Sequence, residues 1–294
     1  MDYILGIDIG GTHIRYGYVE PSGKLHHFSL GKVERFQTDF VAELAALIAD
    51  ENAQRHCAPR AIAIGFPSTL DRSRRVLVST PNIAGLDNVP IVELLEAQLH
   101  IPVIVDRDVN FLFTYDCFSK KVTGDVILGC YVGTGFGNVI SIHNYILYGK
   151  NGVAAELGHI PIKGSKAKCS CGNIGCAETI ASGKALKRLQ ETYFPDTAIQ
   201  EIFIAHPEHP CIQSFVEDLA IPIATEINIL DPDAVIIGGG VVQMAGFPKD
   251  MLENYVRDFA RKPYPAENLS FIYSDSGQEN GVVGAALFAY QKLN

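Results

Sequence analysis

Residues Tyr3–Val19 read YILGIDIGGTHIRYGYV, and residues Val126–Ile142 read VILGCYVGTGFGNVISI. Each stretch is an apolar run, a glycine turn and a second apolar run, the pattern of a strand folding back on itself. In the first, Tyr3–Ile9 is expected as a buried strand, Gly10–Gly11 as a tight turn, Ile14–Val19 as a second strand and Pro21-Ser22-Gly23 as the turn into a third. In the second, Val126–Val132 is a strand and Gly133–Gly137 the turn, with Asn138–Ile142 and Tyr145–Leu147 as the strands that follow. The same plan therefore occurs twice. Working outward, Phe40, Leu44, Leu47 and Ile48 recur at helical spacing, Ala61–Phe66 and Pro102–Asp106 read as strands, and Ile91–Leu99 as a short helix after Pro90. Further helices are expected at Gly183–Tyr193, Ile212–Leu230 and Val282–Leu293, with a strand at Ala234–Ile237; Pro222 is expected to kink or split the second of these helices. A duplicated α/β unit implies two similar lobes facing each other across a cleft, where such folds usually place ligands.

Composition narrows the function. The chain has 294 residues, 47% of them hydrophobic and 19% charged, which suits two packed lobes. A net charge of −9 argues against nucleic acid as the main partner, since such proteins carry a basic stripe. No apolar stretch approaches the ~18–20 residues needed to span a bilayer, and Met1–Gly11 lacks the basic start of a signal peptide, so no membrane role and a cytoplasmic location are expected. Seven cysteines, three of them within Cys169–Cys176, fit a reduced compartment and metal binding. Cys57, Cys117, Cys130 and Cys211 are expected as small core residues.

Three glycine turns carry candidate chemistry. In Asp8-Ile9-Gly10-Gly11-Thr12 the missing side chains let backbone N–H groups approach an anion, and Asp8 is placed to hold a hydrated magnesium ion; a hairpin can equally need such glycines for its own geometry. Gly133-Thr134-Gly135-Phe136-Gly137 is the equivalent turn of the second copy, which gives two phosphate cradles for one nucleotide. Gly238-Gly239-Gly240 follows a strand, where an adenosine ring can lie close to backbone. None has the lysine and hydroxyl residue of a P-loop, and the second turn lacks the spacing of the dinucleotide fingerprint, so a nicotinamide cofactor is not expected. His159 with Cys169-x-Cys171-Gly172-x-x-Gly175-Cys176 supplies one imidazole and three thiolates, a closed tetrahedral zinc shell that braces a loop. Asp106, Asp108 and Asn110, after the strand Pro102–Val105, are candidates for the carboxylate that phosphoryl transfer to an alcohol requires, although Asp108 also suits a helix cap.

Asp8–Thr12, Arg107-Asp108-Val109-Asn110, Gly133–Gly137, Glu156-x-x-His159 and the Cys169–Glu178 knuckle together resemble the ROK (repressor, open reading frame, kinase) family of sugar kinases, over nearly the whole chain. The resemblance implies the duplicated actin-like (ribonuclease H-like) ATPase fold, with a smaller lobe over 1–118, a larger lobe with the zinc loop over 119–280, and a terminal helix over 281–294 packing back on the first. It implies ATP, Mg2+ and structural Zn2+, with Asp108 as the base on the sugar hydroxyl. It assigns Asn82, Arg107, Asp108, Glu156, His159 and Glu178 to the sugar, with His159 serving zinc and sugar through its two ring nitrogens. Asp8, Gly10, Gly11, Thr12, Gly133, Thr134 and Gly135 map to the phosphates, Gly238 and Gly239 to the adenosine, and His159, Cys169, Cys171 and Cys176 to zinc. Arg107 stands where glucose-type members carry asparagine, and Pro67-Ser68 where they carry Pro-Gly. With Gly11–Arg15, Ser79-Thr80-Pro81-Asn82 and Asp231-Pro232-Asp233-Ala234, these features look similar to the D-allose kinase branch; Ala155 replaces a common glycine as a minor departure. Family members are often dimers. Family repressors carry an N-terminal helix-turn-helix, which is not expected here because the first glycine turn begins at residue 10.

Overall fold

Both glycine turns reverse the chain between antiparallel strands. The first copy of the repeat folds as β1 (Ile4–Ile9), β2 (His13–Val19) and β3 (Leu25–Lys32). It continues through α1 (Phe40–Gln54), β4 (Ala61–Phe66), a small hairpin of β5 (Thr69–Leu70) and β6 (Leu77–Ser79), α2 (Ile91–Leu99), β7 (Val103–Arg107) and α3 (Asp108–Lys120). The second copy opens with β8 (Val126–Val132), β9 (Phe136–Ile142) and β10 (Tyr145–Ile146). After the cysteine loop come α4 (Gly183–Tyr193), α5 (Ile202–Ala205), α6 (Pro210–Leu230), β11 (Ala234–Gly238), α7 (Lys249–Phe259), β12 (Phe271–Tyr273) and α8 (Asn280–Leu293). The computed structural model describes residues 2–36, 38–81 and 83–293.

Two five-stranded sheets result, ordered β3-β2-β1-β4-β7 and β10-β9-β8-β11-β12. In each, the first three strands are antiparallel and the last two join in parallel. The expected duplicated actin-like α/β fold is thereby borne out. One compact unit comprises Met1–Lys121, Tyr148–Ala154 and Gly277–Asn294; the other comprises Val122–Leu147 and Ala155–Ser276. Tyr148–Ala154 thus belongs to the first unit, although the chain on either side of it belongs to the second.

Burial on both faces explains why the central strands read as continuous apolar runs. In β1, Leu5, Ile7 and Ile9 join the core formed with Leu44 and Ile48 of α1 and Ile91 and Leu95 of α2. The alternate residues turn to α8, where a side chain on Gly6 would collide with the Val282 carbonyl and one on Gly281 would stand 2.7 Å from the Asp8 carboxyl carbon. In the second unit Leu128, Cys130 and Val132 of β8 pack against Phe215, Leu219 and Ile223 of α6.

Two expectations need correction. Pro222 does not split its helix, since α6 runs unbroken for 21 residues. Proline removes one N–H from the ladder, and the burial of Phe215, Leu219, Ile223 and Ile227 around it holds the helix together. Of the four cysteines expected in the core, only Cys130 is buried, while Cys57, Cys117 and Cys211 are half-buried. No helix among the described residues is long and apolar enough to cross a membrane.

Candidate active site

The first unit brings together Asp8, the Gly10–Thr12 turn and the start of α3. In the turn, Gly10 N–H donates to the His13 carbonyl at 2.8 Å and the Thr12 carbonyl accepts from Val33 N–H at 2.9 Å. The amides of Gly11 and Thr12 have no protein acceptor among the described residues. Asp8, at the end of β1, lies 3.5 Å from Arg15 Nη1. Burial raises its pKa, and Arg15 opposes the rise.

Asp106 and Asp108 have different surroundings. Asp106 is 1% exposed; its Oδ1 accepts Arg107 N–H and Asn110 Nδ2, each at 2.8 Å, and its Oδ2 accepts the Tyr148 hydroxyl at 2.6 Å. Arg74 Nε lies 3.6 Å from the same carboxylate. Asp108 is half-buried and accepts the N–H of Val109 at 2.8 Å. It is the first residue of α3 and not the cap, a position occupied by Arg107 in extended conformation without a capping side chain. Burial pushes the Asp108 carboxyl up to about 7, the Asp8 carboxylate adds to the rise, and Val109 N–H and Arg107 oppose it. Arg107 Nη1 donates to the Ala154 carbonyl at 3.2 Å. Ser68 bonds Thr80 at 2.8 Å, hydroxyl to hydroxyl, so these two residues, far apart in sequence, are neighbours. Asn82 lies outside the described residues.

The second unit carries the other glycine turn and the cysteine loop. Gly133 N–H donates to the Gly135 carbonyl at 3.0 Å, and the carbonyls of Gly133 and Thr134 accept from Gly183 and Lys184 at the start of α4, at 2.8 and 3.2 Å. As in the first turn, two consecutive amides, of Thr134 and Gly135, have no protein acceptor among the described residues. A Cβ at position 135 would stand 2.8 Å from Glu178 Oε2, so a side chain there would displace the Glu178 carboxylate. Gly238 and Gly239 have structural reasons of their own: a side chain on Gly238 would collide with Ser274, and Gly239 has φ +93° with its Cβ position 2.5 Å from the Val132 carbonyl. Gly240 faces open space instead.

The cysteine loop gathers His159, Cys169, Cys171 and Cys176 with all four donor atoms within 4.8 Å of one another. Cys171 Sγ is 3.6 Å from Cys176 Sγ, and Cys169 Sγ is 3.5 Å from His159 Nδ1. Tetrahedral zinc with Zn–S of ~2.3 Å and Zn–N of ~2.0 Å needs donors ~3.5–3.8 Å apart, so the set fits that ion. Gly172 at φ +97° and Gly175 at φ +81° give the loop its tight course, and a side chain on Gly175 would press on the Ser165 carbonyl at 2.7 Å. His159 turns its other nitrogen, Nε2, to Glu156 Oε2 at 3.6 Å. Glu178 Oε1 lies 3.1 Å from Cys169 Sγ, which puts this carboxylate between the cysteine loop and the glycine turn.

Sequence reasoning missed Arg74 and Tyr148. The Arg74 guanidinium stacks over the Tyr148 ring at 4.0 Å, and its Nη2 donates to the Gly152 carbonyl at 2.8 Å. No local pattern marks either residue; only the fold brings positions 74, 106 and 148 together.

A family model described as the ROK family matches residues 4–292. The glucokinase of Thermotoga maritima is 28% identical, with 99% of this chain and 98% of that protein covered. The N-acetyl-D-glucosamine kinase of Photobacterium profundum is 29% identical, over 98% of this chain and 99% of that protein. Among solved structures, a ROK family glucokinase from Streptomyces griseus in complex with glucose and AMPPNP superposes with a TM-score of 0.82 at 27% identity, covering 98% of this chain and 99% of that one. The α/β architecture is thus shared, over nearly the whole chain, with a ROK family glucokinase. The chain belongs to the ROK family.

Proposed function

We propose that this chain is an ATP-dependent hexose kinase that moves the γ-phosphoryl group of ATP onto the 6-hydroxyl of D-allose. The observation that carries the catalytic part is the contrast between two aspartates two residues apart. Asp106 is engaged by three hydrogen bonds and an arginine, whereas Asp108 accepts a backbone N–H and has its pKa raised to about 7. A base of that strength takes the proton from the sugar hydroxyl as it attacks phosphorus and releases it near neutral pH. The amides of Gly11, Thr12, Thr134 and Gly135 are suited to phosphate oxygens, and Asp8 to a hydrated Mg2+. Gly238–Gly240 borders the adenosine, with Gly240 as the position whose bareness protein packing does not explain.

His159 through Nδ1, Cys169, Cys171 and Cys176 would hold structural zinc, which would supply rigidity to the loop. With Nδ1 so engaged, His159 Nε2 joins Glu156 and Glu178 on the sugar hydroxyls, as do Asn82 and Arg107. The choice of D-allose rests on Arg107 and Ser68. A donor-only guanidinium tied to the Ala154 carbonyl cannot pair with a sugar hydroxyl as asparagine does, and the Ser68–Thr80 pair adds a hydroxyl where glucose-type members have none.

The test is initial-rate ADP release with Mg-ATP across allose, glucose, mannose, fructose, N-acetylmannosamine and N-acetylglucosamine. The highest kcat/KM is expected for allose; another preferred sugar removes allose and leaves the kinase, and no release with any sugar removes the kinase. Asp108→Asn is expected to abolish turnover with sugar and ATP binding retained, and normal turnover in that variant would take Asp108 out of the mechanism.

A further inference from the structure

Asp106 is among the few buried charged residues in the described chain, and it is where three separate segments meet. The first is its own: Arg107 N–H and Asn110 Nδ2 bond Oδ1 at 2.8 Å. α3 has no capping side chain at Arg107, and Asp106 instead holds the start of the helix through the N–H of Arg107 and the side chain of Asn110 in its first turn. The second is the turn between β5 and β6, which sends in Arg74 at 3.6 Å. The third is the strap Tyr148–Ala154, whose Tyr148 hydroxyl bonds Oδ2 at 2.6 Å. Burial and the Asp106 carboxylate hold that hydroxyl far above its ordinary pKa, so it remains a donor at every working pH.

The same group of residues ties the rest of the strap. Arg74 holds the Gly152 carbonyl at 2.8 Å and Arg107 holds the Ala154 carbonyl at 3.2 Å. Gly152, at φ +81°, lies so close to the turn bearing Arg74 that a Cβ would meet the Asp71 and Arg72 backbone at 3.0 Å. The next residues along the chain are Ala155 and then Glu156. We propose that Asp106 is a positioning residue that fixes, through one buried carboxylate, both the first turn of α3 bearing Asp108 and the strap that leads into Glu156 and His159. This rests on Asp108 as the base. Arg74 and Tyr148 act through Asp106 and touch neither substrate.

The decisive variant is Tyr148→Phe, which deletes the hydroxyl and keeps the ring under Arg74. Misplacing a reacting group by a fraction of an ångström is expected to lower kcat/KM for the sugar about tenfold, with nucleotide affinity unchanged and rates normalised to folded enzyme. Arg74→Met is expected to act in the same direction, and the double variant to lose less than the product of the two because both losses pass through Asp106. Unchanged kcat/KM in folded Tyr148→Phe, or strictly multiplicative losses, overturns the proposal, and Tyr148→Phe decides the matter alone if Arg74→Met does not fold. Asp108→Asn measured in parallel separates the two ideas. If it is inactive while Tyr148→Phe is normal, only the positioning role falls; if it turns over normally, the base assignment falls and the positioning role with it.

Discussion

Glu226 lies in the core of the second unit, 6% exposed, with Asn138 Nδ2 donating to its Oε2 at 2.9 Å. Burial raises its pKa from the ordinary 4.5 to about 7. The folded state therefore holds this proton more tightly than the unfolded state. Below pH 4.5 both states are protonated and the group costs nothing. Between 4.5 and 7 the unfolded chain releases the proton first, so stability falls as pH rises, and above 7 the loss is complete at ~3 kcal/mol, since each pKa unit corresponds to ~1.4 kcal/mol. Glu226→Gln keeps an acceptor for Asn138 and cannot ionise. The expected result is that the stability difference between variant and wild type shifts in favour of the variant by ~3 kcal/mol from pH 4.5 to pH 8, whatever its value at the lower pH. Urea unfolding followed by far-UV circular dichroism measures it, as the chain has no tryptophan to report by fluorescence. Parallel pH profiles for the two proteins would refute the reasoning, because they would mean that Glu226 titrates alike in the folded and unfolded chain.

Three further outcomes are expected. With Asp108 raised to about 7, kcat/KM for the sugar should fall tenfold per pH unit on the acid side of that value, and a profile flat down to pH 5 would exclude Asp108 as the titrating base. Removing zinc with a strong chelator, or replacing Cys171 with serine, should lower the melting temperature, whereas an unchanged melting temperature in zinc-free protein would exclude a structural metal. At Ala155, φ is +61°, a conformation that costs an L-residue ~1–2 kcal/mol. Ala155→Gly should therefore be neutral or stabilising by up to ~1 kcal/mol and Ala155→Val destabilising by ~1–2 kcal/mol, and equal stability of all three would show that the strain is absent.

Most of the sheet framework was legible because its signals are local. Glycine turns between apolar runs located β1, β2, β8 and β9, and the bounds of α2 and β4 follow the periodicity. The β5–β6 hairpin and β12 were missed because Thr69–Leu70 and Phe271–Tyr273 are too short for a period to appear. In α7, only Leu252 and Val256 are buried, a thin apolar stripe among charges. At the site, residue types and spacings picked out the four clustered Cys and His side chains and the glycine turns. Spacing could not separate Asp106 from Asp108, since that difference comes from Arg74 and Tyr148, tens of residues away. Nor could it tell that Gly238 and Gly239 are bare for packing reasons while Gly240 is not, or that Ala155, a minor departure in sequence, sits in a left-handed conformation.

The placement of α8 bears on how the protein is made. Its glycines at 281 and 284 let it lie directly on β1 and α3, and Tyr290 ties it to the carbonyls of Asp2 and Val19 at 2.8 and 2.9 Å. These residues leave the ribosome after all of Val122–Leu147 and Ala155–Ser276. The half of the chain synthesised first must therefore wait with one face of its sheet uncovered, and the second unit can finish folding before the first, the reverse of the usual N-terminal-first order. A chain stopped before Asn280 would leave that apolar face exposed for good, so early termination should yield a half-folded species that chaperones retain.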